Sequence, residues 1–400
     1  MISNCATPRL TSLSLALLLA VLSPRLATAQ VQDTARADTT RPFVRGGVYD
    51  KPYQTRLLGR TALGGYVEAH ARHERVDGAR DEAGFAVKRF NVFLSTRVSD
   101  IVRMAAEVEF EDGTKEILLE YAAIDVRIHP AFALRGGMLL SPLGRFNLSH
   151  DSPLNEFTDR PLVSTEILGV ALSEPGFGAL GQVPLGARGR LTYETYLTNG
   201  FHEGLIRDAE DGTRIPLGRR NVEDENGSPA VVGRVAWSPR VGVEVGVSAH
   251  HGAWNVFESE GVRLDRRRDL TIGVVDAEVG VAGFRLSGEA ATARVEIPQG
   301  LEGIYAGSQR GFFADLTRDF GRGWVATLPE AFFTAKLRFD RIDLDTGVIG
   351  DDVTQVSVGV NFRPTSDSVI KLDLVRGRSH DRFNNASDHA RLLASFATYF

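Results

Sequence analysis

The sequence predicts an all-β protein, a transmembrane antiparallel β-barrel of sixteen strands. Three observations carry that expectation. Apolar and polar residues alternate with period two over long segments, one face of those segments is charged along its whole length, and the connections between them alternate between long and short.

The N-terminus comes first. Met1 to Ala29 reads as a cleaved secretory signal peptide, with Arg9 as the positive start and Ser12 to Leu22 as the apolar stretch. Ala27-Thr28-Ala29 is the small-residue cleavage site before Gln30. The apolar stretch, about eleven residues, is too short for a helical span, which argues against an uncleaved anchor. Cys5, the only cysteine, precedes that stretch and is misplaced for lipoprotein processing. Residues 30–400 therefore offer no disulfide, thiolate metal site or cysteine nucleophile. Residues 30–60 are polar and aperiodic and read as a flexible periplasmic lead-in, leaving 61–400 as the barrel.

From about Gly64 the alternation dominates. In Lys88 to Val98, Phe90, Val92, Leu94, Thr96 and Val98 share one face, and Arg89, Asn91, Phe93, Ser95 and Arg97 share the other. The next segment sets Val102, Met104, Ala106, Val108 and Phe110 against Arg103, Ala105, Glu107, Glu109 and Glu111. Soluble sandwiches also alternate, but these segments commonly run nine to thirteen residues. Globular strands usually have about five or six, and tilted membrane strands need about nine to eleven. Strands are expected at 62–74, 85–98, 101–111, 116–128, 132–140, 164–172, 187–199, 230–238, 241–251, 269–280, 283–295, 311–319, 330–341, 353–363, 368–378 and 389–400. Odd-numbered strands are followed by long connections such as 141–163 and 200–229, and even-numbered ones often by tight turns such as Ser99-Asp100. That parity places long loops on an extracellular rim and short turns on a periplasmic one. The last strand ends Phe396-Ala397-Thr398-Tyr399-Phe400, an aromatic C-terminus of the kind the barrel-assembly machinery reads, with Leu392, Ala394, Phe396, Thr398 and Phe400 facing outward.

The net charge is −5, and loss of Arg9 and Arg25 with the signal makes it more acidic, which gives no support for nucleic-acid binding. No later segment approaches eighteen consecutive apolar residues. Inward positions mix Arg89, Arg97, Arg103, Arg127, Arg190, Arg234, Arg285, Lys336, Arg338 and Lys371 with Glu107, Glu109, Glu111, Asp125, Glu194, Glu289, Asp340 and Asp373. Such a balance implies opposing basic and acidic stripes with mild preference, since single-sign rings are what select ions.

The stretch from Leu134 to Gln182 adds a resemblance. Arg135 to Gly144, ending Ser141-Pro142-Leu143-Gly144, resembles the fifth strand and following turn of the phosphate-selective porin O/P-like outer-membrane porin family. Asn147 to Pro153 and Asp159 to Val163 resemble the long third loop of that group, and Tyr196 to Gly200 and Gly233 to Pro239 fit as well. The resemblance implies a sixteen-stranded barrel, often a homotrimer, constricted by its third loop and passing small hydrophilic solutes or anions such as phosphate through the outer membrane of a Gram-negative-type bacterium. The lysine-rich lumen that marks phosphate selectivity is not evident here, because residues 30–400 hold only five lysines.

The loop 141–163 is the leading functional segment, being too long for a simple turn. Arg103, Arg127, Arg145, Asp151, Arg160, Arg234, Lys336 and Arg338 are the expected pore-lining or constriction residues, with no cofactor and no metal. The bland alternative is a solvated surface loop. Ser149-His150-Asp151 invites a catalytic-triad reading, but adjacent residues rarely converge on one hydrogen-bonded line. His250-His251 point to opposite faces of a strand, and His70 and His73, three apart, also split. Arg266-Arg267-Arg268 reads as a solvated run, with lipopolysaccharide phosphates as the alternative partner. A barrel with an occluded lumen acting as a receptor or structural protein, and an outer-membrane lipid hydrolase, are the competing functions.

Overall fold

In the computed structural model the described residues are 51, 55–56, 60–206 and 211–400. The signal peptide read over 1–29 lies outside them, as does most of the 30–60 lead-in. The strands are β1 (Thr61–Val76), β2 (Ala79–Arg97), β3 (Val102–Glu111), β4 (Glu116–His129), β5 (Phe132–Leu140), β6 (Ser173–Pro184), β7 (Arg190–Thr198) and β8 (Ala230–Arg240). They continue as β9 (Val243–Ala253), β10 (Asp269–Val281), β11 (Phe284–Val295), β12 (Ser308–Phe320), β13 (Phe332–Asp343), β14 (Asp352–Thr365), β15 (Ser368–His380) and β16 (Ala386–Tyr399). Each is antiparallel to the next, and β16 pairs back with β1 from Tyr399 opposite Tyr66 to His389 opposite Val76. The sheet therefore closes and leaves no open edge, and an even strand number lets it close antiparallel. A two-residue strand, Thr55–Arg56, adds to Leu63 and Ala62 of β1.

The strands run from nine to nineteen residues, long enough to cross a hydrocarbon layer at a tilt. Among the described residues no helix is long and apolar enough to cross a membrane. Connections after odd strands share one rim, including 141–172, 199–229, 254–268 and 296–307, and the other rim carries turns such as 130–131 and 282–283. Asp77-Gly78, on the loop rim, is a tight exception: φ is positive at both residues, the conformation a two-residue hairpin turn requires.

Period two sorts the wall into two surfaces. On β2, Arg89, Asn91 and Phe93 are buried inside while Phe90 is exposed outside, as the sequence predicts. Outside, Val356, Val358 and Val360 of β14, Ile370, Leu372 and Leu374 of β15, and Leu392, Phe396 and Phe400 form an unbroken apolar belt, each 38–55% exposed. Soluble monomers rarely expose contiguous apolar patches beyond a few hundred Å². Lipid is the solvent in which such a belt is stable. Phe400 stacks on the outward Phe90, ring centroids 5.8 Å apart.

Two departures from the expected alternation shape the interior. The sixth strand is Ser173–Pro184, not the expected 164–172. Val163, Ile167, Leu168 and Leu172 recur at helical spacing, and Val163–Ile167 forms one helical turn. These side chains join the buried apolar cluster inside the barrel, with the turn lying against β11 and β12. The loop thus extends from 141 to 172, longer than the expected 141–163. The second departure is a bulge between Glu107 and Val108 that shifts β4, so that Glu120 and Tyr121 are both buried.

Candidate functional site

The interior is built around the loop 141–172. Its base is closed by one side chain: Asn147 Nδ2 donates to the Ser141 and Leu172 carbonyls (2.8 and 3.0 Å), and Leu172 N donates to Asn147 Oδ1 (2.8 Å). From there the loop is fastened to the barrel's inner face. Gly144 N donates to Ser248 Oγ on β9 (2.9 Å), and Arg145 pairs with Glu278 on β10 (3.1 Å). Phe146 N donates to Glu289 on β11.

The densest seat lies on β13 to β15. Lys336 Nζ and Asn361 Nδ2 donate to the Glu156 carbonyl (2.5 and 2.9 Å), Arg338 to that of Asp159 (2.9 Å), Arg363 to that of Pro153 (3.0 Å) and Lys371 to that of Ser152 (2.9 Å). Thr158 N donates to Asp373 Oδ2 (2.9 Å), and its hydroxyl meets that of Ser395 on β16 (3.0 Å). The Phe157 ring lies under Lys336 and Arg338, 4.7 and 4.5 Å from ring centroid to cation. Charge-assisted bonds to backbone carbonyls are among the stronger hydrogen bonds, and here they are withdrawn from water. Burial alone would raise the Glu156 carboxyl, but Arg363, Arg285 and Lys336 around it hold it down to about 2.

The lumen charges are paired rather than set in stripes, which corrects the expectation of opposing basic and acidic bands. Arg135 grips Asp125 (2.7 and 3.1 Å) and Arg338 grips Asp315 (2.6 Å on both arms). Two pairs reach across an intervening strand. Arg234 on β8 meets Asp276 on β10 (2.5 and 3.0 Å), and Lys336 on β13 meets Asp373 on β15 (2.5 Å). Glycine lies between the partners in both cases. A Cβ at Gly246 would approach Arg234 and Asp276 to 2.4 and 2.6 Å, and one at Gly359 would come within 2.5 Å of Asp373 Oδ1 and 2.7 Å of Lys336 Cε.

The wall of β2 to β4 carries a different cluster. Asn91 Nδ2 donates to Glu107 (2.7 Å), Glu109 (3.2 Å) and Glu120 (3.3 Å). Lys51 is buried here, 3.0 Å from Glu107 and in contact with Asp151, which also accepts a hydrogen bond from the Tyr399 hydroxyl (2.9 Å). His150 leaves the loop toward the same cluster, with Nε2 3.0 Å from Glu120 Oε1. Burial first, then the nearby Arg160, lowers its imidazole to about 4. On the loop-rim side of this wall is a cavity of about 1050 Å³, lined by eight basic and seven acidic residues, Arg72, Arg160, Arg219, Arg220, Glu109 and Asp159 among them.

The residues expected in a constriction therefore divide. Arg145, Asp151, Arg160, Lys336 and Arg338 belong to the loop or its seat. Arg234 is on the inner wall, bound to Asp276 and Glu244 (3.0 Å). Arg103 and Arg127 stand apart near the turn rim, where Arg127 donates to the Asp100 carbonyl (3.3 Å). Ser149, His150 and Asp151 form no relay: Ser149 bonds the Arg145 carbonyl, while His150 and Asp151 turn to Glu120 and Lys51. His250 is buried against Phe201 and His251 faces outward to Thr271, as the strand period requires. Glu120 and Lys51 are absent from the expected set: the bulge hides Glu120, and nothing in the polar lead-in singles out Lys51.

No protein-family model matches the sequence. An uncharacterized protein of Aquifex aeolicus is 27% identical over 205 residues, a stretch covering 49% of this chain and 43% of that relative's length. Among solved structures, OprB of Pseudomonas putida superposes with TM-score 0.56 at 9% identity, covering 90% of this chain and all of OprB. OmpF of Salmonella typhi, solved with daunomycin, gives 0.55 at 11% identity (86% and 99% covered). The outer-membrane channel DcaP of Acinetobacter baumannii gives 0.54 at 13% identity, with the same coverage. The fold is that of the sixteen-stranded outer-membrane porins.

Proposed function

We propose that the protein is an outer-membrane porin through which small hydrophilic solutes diffuse passively, narrowed by the loop 141–172. The observation that carries this reading is the loop itself: it runs through the interior of a lipid-belted barrel and is bonded to strands on several sides of it. The cavity above the β2–β4 wall serves as the entrance on the loop rim, which we assign to the cell exterior. Its eight basic and seven acidic lining residues favour weak discrimination between small polar solutes. Phosphate selectivity has less support, because Lys336, Arg338 and Lys371 spend their charge on loop carbonyls and Asp315 or Asp373.

A second reading is favoured by one observation. Tyr66, Asn91, Glu107, Asp276, Asn361 and Lys371, spread around the inner wall, are all buried. That packing fits a barrel occluded at rest, used as a receptor or structural element. Planar-bilayer recording of the detergent-folded chain separates the two. Stable channel steps are expected, larger when residues 150–162 are replaced by a short Gly-Ser linker. Silence from both proteins, each verified as folded, overturns the porin reading.

A further inference from the structure

We propose that Glu109, Glu120 and His150 form a binding site for a divalent metal ion of the Zn²⁺ class, tying the lumen loop to the β3–β4 wall. One ligand atom from each residue lies within 4.8 Å of the others, and all three residues are buried. A group of carboxylates alone would mean little, and the histidine supplies the independent observation. His150 Nδ1 lies 2.8 Å from the Asn147 carbonyl oxygen. A carbonyl can only accept, so Nδ1 carries the proton and the neutral ring presents its lone pair at Nε2. Nε2 lies 3.0 Å from Glu120 Oε1. Neither atom has a hydrogen-bond partner among the described residues. Two lone pairs at that distance repel unless a proton or a metal ion joins them, and this contact lacks hydrogen-bond geometry, which leaves the place to a metal ion.

The surroundings suit a metal. Zn²⁺ takes imidazole nitrogen and carboxylate oxygen at about 2.0–2.2 Å, which sets neighbouring ligand atoms roughly 3–3.5 Å apart. Three protein ligands leave a fourth position for water. The Asn147 carbonyl that fixes the ring is the outer-shell partner metal-bound histidines usually have, and the Asn91 amide orients both carboxylates. Glu107 and Asp151 add negative charge beside the ligands, partly offset by Lys51 and by Arg89, whose Nε lies 3.2 Å from Glu109 Oε1. Arg160 and Lys51 also act electrostatically on His150, but neither donates a proton to Nε2. Nitrogen in the ligand set selects the Zn²⁺ class over Ca²⁺ and Mg²⁺, which prefer oxygen alone.

The test is calorimetric titration of ZnCl₂ into EDTA-stripped, detergent-folded protein, with His150→Ala, Glu120→Gln and, as a control on the outer face, His251→Ala. One Zn²⁺ per chain is expected for the parent and His251→Ala, with affinity reduced at least about 100-fold in the other two, beyond the about 10–100-fold typical of outer-shell losses. Should either ligand variant fail to fold, anomalous scattering at the zinc edge from parent crystals soaked in Zn²⁺ must place the ion beside His150 Nε2. No stoichiometric binding by the folded parent, undiminished binding in both ligand variants, or an anomalous peak elsewhere overturns the proposal. Because the readout is metal uptake, it stands or falls independently of channel activity.

Discussion

Two walls of the same lumen face the loop 141–172 in opposite ways. On β13 to β15, Lys336, Arg338, Asn361, Arg363 and Lys371 donate into loop carbonyls, while Asp315 and Asp373 balance their charge. On β2 to β4, Glu107, Glu109 and Glu120 share one amide nitrogen of Asn91, while Arg89 also pairs with Glu109 (3.2 Å) and Lys51 with Glu107 (3.0 Å). Buried donors that are fully matched hold a segment in place. On the β2–β4 wall Glu120 Oε1 and His150 Nε2 have no hydrogen-bond partner among the described residues, which leaves a place for a bound cation. The β13–β15 wall is therefore a structural seat, and the β2–β4 wall is the chemically open one.

The largest effect that would break this contrast comes from the loop. With residues 150–162 replaced by a Gly-Ser linker, single-channel conductance is expected to rise several-fold while the barrel stays folded. An unchanged conductance would mean that the loop does not restrict the path. Next come the buried ion pairs. Arg338→Met strands Asp315 and removes a loop anchor, and breaking a buried pair this way costs about 3–5 kcal/mol. Glu107→Gln on the β2–β4 wall should cost less, since Lys51 keeps Asp151 as its partner and one of several crowded carboxylates is removed. Equal losses of denaturation midpoint in these two variants would erase the distinction. Gly359→Val should lower the midpoint as well, because its Cβ would come within 2.2 Å of the Leu372 carbonyl oxygen and would enter the space where Lys336 meets Asp373.

Acid probes the same seat. The Glu156 carboxyl lies at about 2 instead of the usual 4.5, so its contribution to loop docking is complete above about pH 4.5 and lost as pH falls toward 2. Protease sensitivity of the loop should rise as the pH falls from about 4.5 toward 2, and Glu156→Gln should remove that acid-dependent rise. The smallest effects are expected at the turn rim. Arg103→Ala and Arg127→Ala should leave loop docking intact and move the reversal potential only slightly toward cations.

Much of this architecture is legible in the sequence, because a membrane barrel enforces period two on every strand. Phe90 against Arg89 and Leu392 against Leu393 face as the alternation requires. The reading fails where another rule takes over. Val163, Ile167, Leu168 and Leu172 look like strand residues in an apolar run, but their spacing is helical and their partners are inside the lumen. Glu120 is invisible because a one-residue bulge reverses the phase of β4 locally. Arg234 and Lys336 are correctly placed inside, yet alternation cannot reveal that their charges are met across glycines two strands away.

The most direct measurement uses the absence of cysteine from residues 30–400. Thr158 on the loop and Ser395 on β16 hold hydroxyl oxygens 3.0 Å apart. The double variant Thr158→Cys, Ser395→Cys should close a disulfide on mild oxidation of the folded protein, read as a mobility shift reversed by reductant. Two free thiols that react with a water-soluble maleimide and never cross-link would place the loop outside the lumen and contradict the account.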